Sequence, residues 1–313
     1  MSQTPSTTPR SKQIERRIYF FRLDAGSNGD GTAKPVDLGP ALEAIDDLPF
    51  TSESRRYWGQ KGGDDIALWT HGKGDRFSLA AVRRANLPRS ESGGTLTDLA
   101  LGAAAGLHEP IHVRIYGHNL LGVESNFYGP RISRLAPYLQ HALGERAPQF
   151  AAEALLRQDS AERLNHVDEL RVVELYLRPS YIDQVHRASK SLGNAFEAMN
   201  GLSKAEVLGL TLRPEPNQRT PLGSKILKGI KKVAGRADMP DNVHRFKAKG
   251  VTESGRVEAI DLLEDQLVTK RKIVTMGARS RAVDPQATFD AIDEAYGELE
   301  SELIRATGLS TKP

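Results

Sequence analysis

The part of the chain that most restricts the fold is the run of residues from 222 to 236. At about 100° per residue, a helix would gather its apolar side chains on one side, namely Leu222, Ile226, Ile230 and Val233. Its cations would fall within an arc of roughly 80°, and these are Lys225, Lys228, Lys232 and Arg236. The apolar stripe needs a core to dock on, which leaves the cations in a row that faces outward. Such a row attracts a phosphate backbone.

Charge is segregated along the chain, although the net charge is only +3. Residues 213–281 hold 16 Lys and Arg against 8 Asp and Glu, a net of +8, whereas residues 282–313 hold 2 against 7, a net of −5. This segregation indicates a nucleic-acid surface, and the alternative is a solvated helix face. We predict that the DNA-binding residues are Arg219, Lys225, Lys228, Lys231, Lys232, Arg236, Arg245, Lys247, Lys249, Lys270, Arg271 and Lys272.

The basic region also favours one kind of nucleic acid. Its only aromatic residue, within 213–281, is Phe246. Proteins that bind single strands use aromatic side chains as platforms on which bases stack. The near absence of such platforms predicts contacts to the backbone of duplex DNA, with little reading of its sequence.

Short strands and helices follow one another along the chain, which predicts an α+β protein. Apolar and β-branched runs predict strands at 18–23, 55–59, 66–71, 76–84, 150–156, 171–177, 207–212, 244–251 and 267–276, and a hairpin made of 111–116 and 120–127. Apolar spacing and proline positions predict helices at 36–48, 130–143, 161–169 and 181–199, then the basic helix and a last helix after Asp284-Pro285.

At 313 residues the chain is long enough for two domains of mixed sheets with packed helices. We predict a disordered tail at 1–13, a first domain at 14–146, and a second domain at 147–239 that carries the basic helix. We predict that residues 240–313 return to the first domain, because the acidic last helix would repel DNA if it lay beside the cations. The chain has no cysteine, which excludes a disulfide scaffold and fits a reducing cytosol.

The last helix has apolar residues at alternating spacings of 3 and 4, from Phe289 to Ala306. This spacing is typical of a coiled-coil seam, and it predicts dimer contacts at Ile292, Tyr296, Leu299 and Leu303. The alternative is an ordinary helix that faces the core of its own domain.

Three groups of residues have part of the pattern of a metal or catalytic site. The loop 24–32 is spaced like a calcium loop but lacks the third and twelfth ligands. The histidines of one group fall at or in a predicted strand, where residues four apart lie roughly 13 Å from each other: His108, His112 and His118. A nuclease-like acidic group lies on a predicted turn: Asp261, Glu264 and Asp265. We predict no catalytic residue, no metal site, no cofactor and no enzymatic activity.

An aromatic first strand precedes a charged loop and a helix. The hairpin runs into Val123-Glu124-Ser125-Asn126-Phe127-Tyr128-Gly129-Pro130 and Leu135-Ala136-Pro137-Tyr138-Leu139, a strand, an aromatic-Gly-Pro passage and a helix. These passages, within about residues 17–308, resemble the RexA family, the DNA-binding component of the lambdoid Rex system. Ile230-Lys231-Lys232-Val233-Ala234 is similar to its basic helix, and the turn Glu253-Ser254-Gly255 and the acidic last helix follow in order. The chain departs from the family at Pro214-Glu215-Pro216, where the family is basic, and in its extra N-terminal tail.

The resemblance implies a homodimer that binds double-stranded DNA without sequence preference, and an α+β fold like that of the RdgC recombination-associated proteins. It also implies a prophage-encoded phage exclusion (abortive infection) system in the cytoplasm of a bacterial lysogen, at the nucleoid, with a RexB-type membrane channel as partner. Two other functions remain open on the residues alone. One is a DNA-cleaving antiphage effector with an unrecognised metal site, and the other is a module whose basic face binds an acidic protein.

Overall fold

A computed structural model describes residues 12–29, 33–51, 53–59, 63–72, 74–102, 104–203, 205–215, 220–234, 236, 239–263 and 266–307. In chain order, the elements are β1 (Gln13–Asp24), α1 (Gly39–Asp46), β2 (Asp65–Thr70), β3 (Arg76–Arg83), β4 (Arg89–Ser92), β5 (Thr95–Asp98), β6 (Leu107–Tyr116), β7 (Leu120–Ser125), α2 (Leu135–Leu143), β8 (Ala151–Ala154), α3 (Gln158–Asn165), β9 (Val167–Leu177), α4 (Ile182–Ala188), α5 (Lys190–Leu202), β10 (Leu208–Leu212), α6 (Ser224–Ala234), α7 (Met239–Asn242), β11 (Val243–Thr252), β12 (Val257–Asp261), β13 (Val268–Val274) and α8 (Pro285–Ala306). The fold is α+β, as predicted. Among the helices of the described chain, none is both long enough and apolar enough to cross a membrane.

The chain divides into two compact units. The first unit consists of the chain through Tyr19, Leu23–Ala151 and Val268–Glu298, and the second consists of Phe20–Arg22, Ala152–Leu267 and the chain from Leu299 onward. The sequence placed the first boundary at 146 and the return of the chain at 240, whereas the structure places them at 151 and 268. The second difference arises because β11 and β12 pair with β9 and with each other, which keeps them in the second unit.

The first unit is built on a sheet with the strand order β13-β1-β7-β6-β3-β2, and the short β8 also pairs with β1. Neighbouring strands such as β1 and β13, or β3 and β6, run antiparallel. The inner strands β3 and β7 are buried along almost their whole length. A strand that is covered on both faces has a continuous run of apolar residues instead of alternating apolar and polar ones. Such runs are what indicated strands at these two places in the sequence.

Helix α8 packs against this sheet through polar contacts of Asp293 and aromatic contacts of Tyr296. Asp293 accepts hydrogen bonds from the Tyr116 hydroxyl at 2.7 Å and from the Arg114 Nε at 3.0 Å. The rings of Tyr116 and Tyr296 stack with their centroids 3.8 Å apart. The helix begins where it was predicted to begin, because the Asp284 carboxylate accepts a backbone N–H of the first turn at 2.8 Å.

This packing corrects the dimer contacts predicted at Ile292 and Leu303. Ile292 and Leu303 are both fully buried within their own chain, and Tyr296 is stacked on Tyr116. Leu299 is half-buried. At Ile292 and Leu303 the apolar side of α8 is therefore core-facing, which was the alternative interpretation, whereas dimer contacts at Tyr296 and Leu299 stay a prediction. The spacing could not decide between the two, because it reports only that a helix buries one side and not what covers that side.

The second unit has a four-stranded antiparallel sheet in the order β10-β9-β11-β12. One face of this sheet contributes alternate residues to the core, including Val173, Leu175, Phe246 and Ala248. The helices α4, α5 and α6 bring Val185, Phe196, Ile230 and Val233 to the same core. Because strand residues alternate between faces, the residues between those of the core point to the opposite face of the sheet.

Several local expectations differ from the structure. Residues 55–59 form no strand, because the side chain of Arg56 is buried and donates to backbone carbonyls of Ile45 and Leu68. The helix predicted at 181–199 is divided by Ser189, whose extended backbone ends α4 and whose hydroxyl accepts from the N-terminus of α5. Strand β12 was missed because a charged residue, Glu258, takes a core-facing position in it.

Candidate nucleic-acid interface

The basic helix is confirmed, over Ser224–Ala234. It buries Leu227, Ile230, Val233 and Ala234, whereas Leu222 and Ile226 are partly buried against the same core. A Cβ added to Gly229 would lie 2.6 Å from Oγ of Ser189, so the helix approaches the start of α5 very closely. The apolar side predicted from the spacing is therefore the side on which the helix docks.

The outward side of α6 carries exposed lysines. Lys225, Lys228 and Lys232 are exposed, and they form no ion pair with any described residue. The helix contains no acidic residue. Lys225 and Lys232 are two turns apart, about 10 Å along the axis. A surface of this kind presents a local positive potential that is not neutralised by the protein itself.

Two of the predicted DNA-binding residues, of which Arg236 was also placed in the row, are held by other partners. Lys231 is half-buried, and its Nζ donates to the backbone carbonyl of Asn165 at 3.1 Å. Arg236 lies beyond the end of the helix, and its guanidinium donates to Oε1 of Gln184 at 2.7 Å. Both side chains therefore have structural partners within the second unit. Arg219 lies outside the described residues.

The cations of β11 lie on the other side of the second unit's sheet from α6. Arg245, Lys247 and Lys249 alternate with the buried residues of β11, so they point away from the helices. Arg245 is paired with Glu174 of β9, and Lys247 with Asp261 of β12 at 2.7 Å. These cations therefore do not extend the lysine row, and two of them are neutralised by neighbours.

The cations of β13 form a third location, in the first unit. Lys270 pairs with Glu15 at 3.0 Å. Arg271 is largely buried, and it pairs with Glu298 and, at 3.7 Å, with Glu294 of α8. Lys272 is exposed at the edge strand of the sheet. The predicted DNA-binding residues are thus dispersed over three surfaces, and α6 has the strongest uncompensated charge among them.

A buried polar network in the first unit escaped the sequence analysis. Glu124 on β7 is fully buried, with its carboxylate 3.1 Å from Nε of Arg16 and 3.1 Å from Nδ1 of His112. Nearby, Nε2 of His71 lies 2.7 Å from Oγ of Ser78. The sequence feature that could have indicated this network is the presence of polar residues inside otherwise apolar strands. Ser78 is only 3% exposed, so a substrate would not reach its hydroxyl.

The candidate metal ligands that lie within the described residues do not come together at one site. His118 lies in the turn between β6 and β7, away from the buried position of His112 on β6. Asp261 pairs with Lys247, and Glu264 and Asp265 lie outside the described residues. In the part of the chain that the structure describes, no group of three or more His, Asp or Glu is placed to hold a metal ion.

A cleft of about 600 Å³ lies beside the turn between β11 and β12. Its walls carry charges of both signs, including Arg163, His166, Asp168 and Glu258. Glu258 is paired with Arg256 at 3.1 Å. Mixed and mutually paired charges do not select an anionic ligand, so the cleft is a weaker candidate for phosphate contacts than the surface of α6.

The histidine bonded to Ser78 makes stability depend on pH. Burial lowers the pKa of His71 below its ordinary value of about 6.5, and the nearby His112 lowers it further. The unfolded chain therefore takes up this proton first as the pH falls through about 6.5, so the contribution to stability is complete above that pH and declines below it. We expect a lower urea midpoint of the first unit at pH 5.5 than at pH 7.5, and a smaller difference in His71→Gln. An equal difference in the variant would contradict this assignment.

The sequence matches no protein-family model, and no curated protein matches it either. The function of the chain is therefore inferred from its residues and their geometry.

Proposed function

We propose that this protein binds double-stranded DNA without sequence preference, through phosphate contacts made by α6. The observation that carries the proposal is the row of Lys225, Lys228 and Lys232, exposed on a docked helix and without an acidic partner among the described residues. Lysine is a compact point charge that binds phosphate, and phosphate contacts carry no sequence information. Docking of α6 through Ile230 and Val233 holds the row in place before DNA arrives.

The biological setting that we propose is a phage exclusion system with a homodimeric DNA-binding protein, acting in the cytoplasm at the nucleoid beside a RexB-type membrane channel. It is supported by the resemblance of residues 123–130, 135–139 and 230–234 to the RexA family. A homodimer would need a contact other than the buried Ile292 and Leu303. Light scattering of the purified protein measures whether the dimer exists.

The decisive variant is Lys225→Ala/Lys228→Ala/Lys232→Ala, which removes the exposed row and leaves Lys231 in its bond to Asn165. Each phosphate contact releases counterions and contributes about −0.9 to the log–log slope of affinity against salt, so the slope should become less steep by about 2.7. Affinity should fall equally on unrelated duplexes. Fluorescence anisotropy at several salt concentrations measures both quantities.

A matched control removes the same charge elsewhere, as Lys249→Ala/Lys270→Ala/Lys272→Ala. This variant should keep most of the affinity and most of the salt slope. An equal loss in both variants would mean that net charge, and not α6, governs binding. Incubation of the protein with plasmid and magnesium tests the alternative function, because cleaved product would indicate a DNA-cleaving effector.

A further inference from the structure

The turn between β7 and α2 displays two adjacent aromatic side chains to solvent. Phe127 is 61% exposed and Tyr128 is 44% exposed, and their rings meet edge to face with centroids 5.1 Å apart. The phosphate contacts of α6 make no use of them. Exposed aromatic side chains that lie together in this way mark a contact surface, since water solvates them poorly.

The turn is held in place by one buried amide. Asn126 is only 4% exposed, and its Nδ2 donates to the carbonyl oxygen of Pro110 at 3.0 Å. Its Oδ1 accepts the backbone N–H of Tyr128 at 3.2 Å, and its own carbonyl oxygen accepts the N–H of Gly129 at 3.0 Å. These bonds fix the backbone of the two residues between Asn126 and Gly129, which are the two aromatic ones.

Gly129 fixes the turn from the other end. A Cβ added at this position would lie 2.9 Å from Cγ2 of Ile111 and 3.2 Å from the carbonyl oxygen of Pro110. The backbone of the turn therefore packs directly against β6, with no room for a side chain. A display that is fixed in this way loses little conformational entropy when a ligand binds.

A guanidinium already lies on one of the rings. The Cζ of Arg281 is 3.8 Å from the centroid of Tyr128, and the backbone carbonyl of Arg281 accepts from Nη2 of Arg16 at 3.0 Å. The guanidinium of Arg281 also donates to the carboxylate of Glu109. The turn thus combines aromatic faces with an oriented arginine, and proteins that bind unpaired nucleic acid use this combination.

The carboxylates beside the turn carry no free negative charge. The neighbouring carboxylates, Glu109 and Glu124, are buried, and they are paired with Arg281 and Arg16 respectively. Arg279 is exposed on the same loop as Arg281. The acidic groups beside the turn are therefore paired within the protein, so they do not repel a polyanion that approaches the rings.

We propose that Phe127 and Tyr128 stack on unpaired nucleobases, so that the protein prefers DNA with exposed bases, such as bubbles, gaps or ends, to fully paired duplex. This inference rests on the DNA binding proposed for α6 and names its preferred substrate. The lysines supply affinity for any phosphate backbone, and the turn adds a contact that only an unstacked base can make. It also revises the prediction that the protein binds only paired DNA. That prediction was drawn from the scarcity of aromatic residues within 213–281, and Phe127 and Tyr128 lie outside that range.

The test compares a fully paired duplex with the same duplex carrying a central bubble that contains 2-aminopurine. The wild-type protein should bind the bubble about 30-fold more tightly or better, because each of the two rings should contribute about fivefold or more by stacking on one base. It should also change the 2-aminopurine fluorescence. Phe127→Leu keeps an apolar side chain but removes one of the two aromatic faces, so the preference should fall by about fivefold or more while duplex affinity is retained. Phe127→Trp should restore it.

Met276→Ala is the matched control, because Met276 is 64% exposed and also lies on the first unit. It should leave the preference for the bubble unchanged. An unchanged preference for the bubble in Phe127→Leu overturns the proposal. If light scattering shows that the mass of this variant in solution differs from that of the wild type, the turn is instead a contact with a second copy of the chain. If the wild type did not bind the paired duplex, the proposed role of α6 would be wrong. The stacking proposal would still be supported if Phe127→Leu weakened binding to the bubble.

Discussion

The variant Ile292→Asp is expected to lower the free energy of unfolding of the first unit by about 5 kcal/mol or more. Ile292 is fully buried on the side of α8 that faces the sheet. Truncation of a buried isoleucine costs about 2–5 kcal/mol, and a carboxylate placed in the same position without a partner costs several kcal/mol more. Since domains are stable by only about 5–15 kcal/mol, this loss is a third or more of the total, so the urea midpoint of the first unit should fall sharply.

Tryptophan fluorescence during urea titration measures this effect selectively. Both tryptophans of the chain, Trp58 and Trp69, belong to the first unit. Ser301→Asp is the matched control, because it adds a carboxylate to an exposed position of the same helix. Its urea midpoint should stay close to that of the wild type. A folded Ile292→Asp protein of half the wild-type mass would instead restore the dimer seam on α8.

The second large effect is expected for Glu124→Leu, with a loss of about 3–5 kcal/mol. The side chain of Glu124 is 1% exposed, and those of its partners Arg16 and His112 are 13% and 2% exposed. Removal of the carboxylate leaves the guanidinium of Arg16 buried without its counter-charge. The cost of that uncompensated charge exceeds the gain from an added apolar side chain.

A double variant separates this charge effect from a packing effect. Arg16→Met/Glu124→Leu removes both charges, so it should be more stable than Glu124→Leu alone, by the same urea titration. If the double variant were less stable than the single one by the full cost of Arg16→Met, the two charges would be energetically independent. The inferred ion pair would then make no contribution to the first unit.

The amphipathic helix and most strands were determined by local sequence. In α6, spacings of three and four residues place Ile226, Ile230 and Val233 on one side whatever the rest of the chain does. The alternation of β11 is local in the same sense, and it predicts that Arg245, Lys247 and Lys249 share a face. The start of α8 was readable because Asp284 and Pro285 are typical of a helix start.

The surface to which each cation belongs was decided only by the tertiary structure. Lys228 and Lys247 are both basic residues of one charged region, but α6 covers one face of the second unit's sheet while Lys247 points from the other. The partner of Lys247 is Asp261, which the antiparallel register of β11 and β12 brings opposite to it. Pairing between strands sets such contacts, and a count of charges along the sequence does not contain that information.

The sequence by itself determined which side of each helix and strand is apolar, because that property depends on residues a few positions apart. It did not determine what covers each side. The contact of Ile292 with its own chain, the burial of Glu124 between Arg16 and His112, and the exposure of Phe127 all depend on elements far away in sequence. The strand order β13-β1-β7-β6 places residues from both ends of the chain side by side, and only that arrangement decides which of them remain in contact with water.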